Sequence, residues 1–167
     1  MEQRVLITGL PSLFGAGLLA TVPKRFQLTG TYLMSPPPRL GNTGIELLPL
    51  DVTEKAAVST LIRAIKPTII IHLAALSDID YCQEHRNEAE AVNVTGTRNV
   101  VEAAEEVGST IVSMSSVMVF DGRKSDGYDE EDKPRPLNVY GKTKLAAEKI
   151  VGQSDLSWLI VRFHLVI

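Results

Sequence analysis

Val5-Leu6-Ile7-Thr8-Gly9-Leu10-Pro11-Ser12-Leu13-Phe14-Gly15 is the stretch on which the fold turns. A short apolar run ends in a glycine-bearing turn, and the turn opens a helical segment, Gly15–Val22, that Pro23 closes. The pattern repeats outward from there. Phe26–Met34, Ile45–Leu50, Thr68–His72, Thr110–Ser115 and Trp158–Arg162 read as further strands. Several are apolar at consecutive positions, as expected for strands covered on both faces of a parallel sheet. Helical stretches at Thr53–Ile65, Tyr81–Val107 and Leu137–Gly152 lie between them, ended or preceded by Pro67, Gly108 and the Pro134-Arg135-Pro136 turn. Strand–helix alternation of this kind predicts a doubly wound α/β sheet. Pro36-Pro37-Pro38 marks the second-to-third strand connection as a loop, and Asp121–Pro136 forms a polar loop after the fifth strand. No internal repeat or linker divides the chain.

Composition narrows the possibilities. The 167 residues carry 17 basic and 20 acidic side chains, a formal charge of −3, and 44% hydrophobic content. That is the profile of one globular domain with a sizeable core, and it excludes disordered and fibrous classes. Scattered lysines and arginines on a slightly acidic chain give no electrostatic footprint for nucleic acid. Cys82 is the single cysteine, so an internal disulfide framework and a multi-cysteine zinc site are excluded. The apolar stretch Ile69–Leu76 is far too short to cross a membrane. Met1-Glu2-Gln3-Arg4 leads straight into the first strand without a signal peptide, so the expectation is a cytoplasmic protein with no membrane partner.

Three groups of residues carry candidate chemistry. The turn at Gly9, Ser12 and Gly15 has the context of a dinucleotide pyrophosphate site, where free N–H groups and the helix dipole favour an anion. The plain alternative is an ordinary strand-to-helix turn with glycines for geometry. A NAD-preferring site would place an acid at the end of the second strand. Tyr32-Leu33-Met34-Ser35 has none before Glu46, which tilts the reading to NADP, with Arg39 the nearest residue for a 2′-phosphate. Tyr140 and Lys144 stand four apart at a helix start, on one face. An ammonium beside a tyrosine makes its phenol useful in proton transfer near neutrality, whereas the plain reading is an exposed helix pair. Ser116 closes the fifth strand at the carboxyl edge, placed to donate to a substrate carbonyl or to satisfy loop backbone.

Taken in order, these motifs resemble an extended short-chain dehydrogenase/reductase. They run Val5–Gly9, Asp51-Val52-Thr53, His72-Leu73-Ala74-Ala75, Ala91-Val92-Asn93-Val94-Thr95-Gly96-Thr97-Arg98-Asn99, Ser115-Ser116 with Val119-Phe120-Asp121-Gly122, Asn138–Lys144 and Leu159–Arg162. The chain is similar to the N-terminal part of the dTDP-4-dehydrorhamnose reductase branch, which also holds the regulatory β subunit of methionine adenosyltransferase. The resemblance implies a Rossmann fold over residues 1–167, with strand order 3-2-1-4-5-6, helices on both faces, and the C-terminal substrate lobe absent. It implies reduction of a keto group on a nucleotide-linked sugar with NADP, or NAD as the alternative. An epimerase or dehydratase, or a cofactor-binding regulatory subunit without turnover, are the rival activities.

By the same resemblance Tyr140 is the acid/base, Lys144 lowers its pKa and holds the nicotinamide ribose, and Ser116 polarises the carbonyl. Gly9, Ser12, Leu13, Phe14, Gly15, Leu73, Ala74, Ala75, Asn93 and Ser115 are the implied cofactor contacts. Asp51 and Val52 are implied to flank the adenine; Asp51 also reads as the N-cap of the next helix, with Glu54 completing a capping box. Homodimerisation through the helices at 81–107 and 137–152 is implied as well. The chain departs from the family pattern at Ser12, where the family carries glycine, and at Val117-Met118, where the rhamnose-type reductases carry Asp-Tyr. Asp78, Asp80, Cys82 and His85 form a weak metal constellation that reads better as a helix N-terminus with acids near its dipole. His72 reads as a packed core histidine and Arg162 as a structural pairing residue.

Overall fold

The computed structural model describes residues 3–23, 25–35 and 45–164. Six strands form one parallel sheet in the order β3-β2-β1-β4-β5-β6. They are β1 Gln3–Thr8, β2 Phe26–Tyr32, β3 Glu46–Pro49, β4 Ile69–His72, β5 Thr110–Ser116 and β6 Trp158–Phe163. The fold is therefore the expected doubly wound sheet in the expected order. Alternation along β1 shows why its sequence is apolar throughout. Val5 and Ile7 face a cluster with Leu10 of the following turn and Leu19 of helix α1 (Leu13–Thr21), whereas Leu6 faces a larger cluster. That larger cluster holds Val58 and Ile62 of α2 (Lys55–Ile65), Val100 and Ala104 of α5 (Thr97–Val107), and Val151 of α6 (Val139–Gly152). Leu6, Ile7, Ile70 and Ile111 are wholly buried. Each such side chain contributes about 1.5–3 kcal/mol of transfer free energy.

Boundaries depart from the sequence reading where the chain meets the carboxyl edge. The second strand stops at Tyr32, leaving Leu33 and Met34 exposed in a turn. Helix α1 begins at Leu13 because Ser12 caps it, its Oγ accepting from the Gly15 N–H at 3.1 Å. The capping box at Asp51 does not form. Asp51 Oδ1 instead accepts from the N–H and hydroxyl of Thr53, and α2 starts two residues later with no side-chain cap at Glu54. The expected single helix over 81–107 is also broken. Asp78 caps a short helix α3 (Ile79–Glu84), His85 turns the chain out of helical geometry, and α4 (Arg86–Glu90) runs through a π-turn (Ala91–Gly96) into α5. Pro36–Pro38 and Arg39 lie outside the described residues. Among the described residues no helix is long and apolar enough to cross a membrane.

Candidate active site

The candidate residues gather at the carboxyl edge of the sheet, where β5 runs on past the end of β4 to Ser116. Gly9 leaves β1 with φ +69°, and a Cβ placed there would lie 2.7 Å from the backbone of Ala74 at the end of β4. Only glycine allows the two strand ends to approach so closely. Ser12, by contrast, has an extended backbone that any residue adopts, so the serine in the glycine pattern leaves the turn unstrained and adds a helix cap.

A groove of about 460 Å³ runs along these ends, lined by Gly9, Ser12, Leu33, Asp51, Val52 and Leu73 among others. Ala74, Ala75 and Leu76 continue its wall. Leu13 and Phe14 open α1 beside it, and the Phe14 ring meets Phe163 of β6 edge-on, 4.4 Å between centroids. That contact reaches over the ends of β4 and β5.

Beyond β4 the edge carries the polar set. Ser116 ends β5, buried, and its Oγ accepts from the Met118 N–H at 3.2 Å within a 3₁₀ turn (Val117–Val119). The hydroxyl thus satisfies loop backbone and lies beside the Tyr140 phenol. Burial pushes the Tyr140 pKa up, the Ser116 hydroxyl draws it down, and the Cys82 thiol adds a smaller upward push. Tyr140 takes its place from the first turn of α6, which Asn138 caps by accepting from the Gly141 N–H at 2.7 Å. A Cβ on Gly141 would sit 2.2 Å from the Met118 carbonyl oxygen, so this glycine lets α6 press against the 3₁₀ turn.

Lys144, one turn along α6, is almost wholly buried, and burial lowers its pKa to about 8 against the upward pull of Glu148. Its ammonium also acts on His72, whose pKa falls to about 3, chiefly through burial. Glu148 is divided between partners: it accepts from the Ser115 hydroxyl and from Arg162 Nε and Nη2, at 2.9 and 2.8 Å for the two guanidinium contacts. The Arg162 guanidinium in turn lies over the Phe120 ring. Ser115 is therefore tied into a structural cluster rather than facing the groove with a free hydroxyl. Asn93 is similarly engaged, its Oδ1 accepting from the Leu76 N–H and its Nδ2 donating to the Leu76 carbonyl and to Thr143. Sequence reasoning missed Glu148, although its spacing four residues after Lys144 was visible. Thr97 and Thr143 stand inside motifs the sequence displays, but that reasoning assigned their hydroxyls no role. Asp78 and Asp80 serve the N-terminus of α3, and His85 stacks on Tyr81.

Gly9, Ala74 and Ala75 line the groove with small residues, the N-terminus of α1 offers dipole and N–H groups, and Lys144 is a buried cation on α6. A phenol, a hydroxyl and an ammonium together can orient a carbonyl oxygen and hand it a proton.

Residues 3–167 match the family model described as RmlD substrate binding domain. The chain is 34% identical over 161 residues to methionine adenosyltransferase 2 subunit beta of Bos taurus, covering 96% of this chain and 46% of that protein. It is 34% identical over 159 residues to dTDP-4-dehydrorhamnose reductase of Aggregatibacter actinomycetemcomitans, covering 95% and 50%. The crystal structure of dTDP-4-dehydrorhamnose reductase from Bacillus anthracis in complex with NADP superposes with a TM-score of 0.83 at 32% identity, over 97% of this chain and 53% of that one. The chain thus spans about half the length of the relatives it matches.

Proposed function

The chain belongs to the RmlD substrate binding domain family, and from that premise we propose that it is the cofactor-binding half of an NADP-dependent reductase acting on a keto group of a nucleotide-linked sugar. The observation that supports this reading is the Ser116 hydroxyl beside the Tyr140 phenol at the carboxyl edge, with Lys144 buried one turn along the same helix. A bound nicotinamide dinucleotide would supply the reducing electron pair. The chain's own residues would do the rest. Gly9, Ser12 and the N-terminus of α1 would hold the pyrophosphate. Asp51 and Val52 would flank the adenine, and Leu73–Ala75 would form the floor beneath the nucleotide.

Ser116 would hold the substrate carbonyl oxygen while Tyr140 delivers a proton to it. Lys144, buried and cationic below about pH 8, would bind the nicotinamide ribose and stabilise the phenolate left behind. Preference for NADP rests on the end of β2, where Tyr32, Leu33, Met34 and Ser35 offer no carboxylate to ribose hydroxyls. The NADP bound by the Bacillus anthracis relative agrees with it.

A second reading is supported by the identity to the methionine adenosyltransferase subunit: a dinucleotide-binding regulatory subunit without turnover. Calorimetric titration with NADPH and NADH, followed by a screen of 4-keto sugar nucleotides with wild-type and Tyr140→Phe protein, tests both. The reductase reading expects NADPH to bind more tightly than NADH. It also expects Tyr140→Phe to keep that binding within a few-fold while losing about 10²–10⁴ in turnover. Tight binding with no reduction of any 4-keto sugar would favour the regulatory reading. Binding of neither dinucleotide would overturn both.

A further inference from the structure

A run of buried polar side chains joins the cofactor groove to the turn that carries Tyr140, and its protons can be assigned by counting. Thr97 Oγ1 lies 2.7 Å from the Asn93 carbonyl oxygen, which can only accept, so the threonine proton is committed there. His72 Nε2, 3.1 Å from the same Oγ1, must then be the donor. His72 Nδ1 is left bare and accepts the Thr8 hydroxyl proton at 2.7 Å. Thr8 Oγ1 itself accepts from the Ala74 N–H at 3.4 Å. On the far side, Thr143 gives its proton to the Tyr140 carbonyl at 2.8 Å and accepts from Asn93 Nδ2 at 3.0 Å.

Three links follow in one direction: Ala74 to Thr8 to His72, His72 to Thr97 to Asn93, and Asn93 to Thr143 to Tyr140. The wall of the groove hangs on this chain at two points. Ala74 is held by Thr8, and Leu76 by both ends of the Asn93 amide, with distances of 2.8 and 3.0 Å. The π-turn at Ala91–Gly96 brings Asn93 and Thr97 into the chain, and such turns recur at functional sites.

We propose that His72 is a positioning residue, which as the Nε2–H tautomer sets the groove wall at Ala74–Leu76 and the first turn of α6 in one register through Thr97 and Asn93. Neither His72 nor Thr97 touches the reacting groups. Both act through the backbone of residues that do, and the inference rests on the dinucleotide reading only for its binding arm. The near-complete burial of His72, Thr97, Asn93 and Thr143 shields the chain from competing water.

Thr97→Val tests it, because valine keeps the shape and removes only the hydroxyl, and Thr97→Ser restores that hydroxyl. In Thr97→Val the dissociation constant for NADPH is expected to rise at least fivefold. That for adenosine 2′,5′-bisphosphate, which spans only the adenine end, should stay within twofold. The amide NMR signals of Leu76 and Gly141 should shift together, and Thr97→Ser should return all of these towards wild type. Unchanged NADPH affinity and unmoved signals in Thr97→Val would overturn the proposal. So would an equal loss for both ligands, or a serine variant that behaves like valine.

The wild-type protein supplies an independent measurement should Thr97→Val fail to fold. Nitrogen-15 NMR of His72 should show a protonated Nε2 and a bare Nδ1 at pH 5–8, and the opposite tautomer or an imidazolium would overturn the proposal. Failure of wild type to bind either dinucleotide would sink the cofactor reading, while the tautomer and the Leu76–Gly141 signals would still decide the role of His72.

Discussion

His72 and Lys144 occupy one buried neighbourhood, and burial lowers the pKa of both. The folded-state pKa of His72 is about 3 against about 6.5 in an unfolded chain, so below pH 6.5 the unfolded chain takes up a proton that the folded one refuses. Stability from this group is whole above pH 6.5 and lost as pH falls towards 3, at up to about 1.4 kcal/mol per pH unit. Urea denaturation between pH 6.5 and 4.5 should show that slope, and His72→Asn should flatten it by about one proton; an unchanged slope would refute the assignment.

Lys144, lowered to about 8, is charged at neutrality and sheds its proton through the mildly alkaline range. NADPH affinity is therefore expected to fall as pH rises through 8 in wild type and to be weak and flat in Lys144→Met, as calorimetry across pH 7–9.5 would record. The site was legible in the sequence where chemistry has a spacing, as with Tyr140 and Lys144. It was illegible where function depends on hydroxyls such as those of Thr8, Thr97 and Thr143, whose partners lie 25 to 64 residues away or in the local backbone.

At the scale of elements, closeness of packing decides which substitutions the fold accepts. Gly141→Ala drives a methyl into the Met118 carbonyl at the junction of α6 with the 3₁₀ turn, and about 1–3 kcal/mol of destabilisation is expected, read by urea unfolding. Gly152→Ala at the other end of the same helix is the control. The nearest atom there is on the Trp158 ring at 3.9 Å, so it should be neutral or stabilise by up to about 1 kcal/mol. If both variants behave alike, the close approach at Gly141 is not what holds α6.

The strands and most helices were readable because two-sided burial writes a continuous apolar run and a helix writes its caps. The break at His85 was not. No glycine or proline stands between Ile79 and Glu90, and the kink is set by tertiary contacts. Cys82 and Ala89 pack with Val139 at the start of α6, and Gln83 accepts from the Val139 N–H. A propensity reading has no access to that anchor.

Across the whole molecule, the Glu148–Arg162 pair ties the last strand to the helix that bears the candidate catalytic residues. Its carboxylate is nearly buried and gripped from two sides, so removing one partner strands a desolvated charge. Arg162→Met, which leaves the Glu148 carboxylate without its guanidinium partner, is expected to lose about 3–5 kcal/mol by urea denaturation, whereas adding Glu148→Leu should recover most of it. A double variant as unstable as the single one would show that the pair supplies net stability rather than relief from an uncompensated charge.

The strand order carries a different kind of consequence. Val5–Ile7 lies at the centre of the sheet, between Leu28–Gly30 and Ile69–Ile71. Strand β1 is thus flanked on one side by a strand made some sixty residues later. During synthesis Val5–Ile7 must wait for Ile69–Ile71 before its second edge is covered. With every pairing parallel and none closed by a hairpin, folding depends on distant segments finding one another, and it should be slow for a chain of this length.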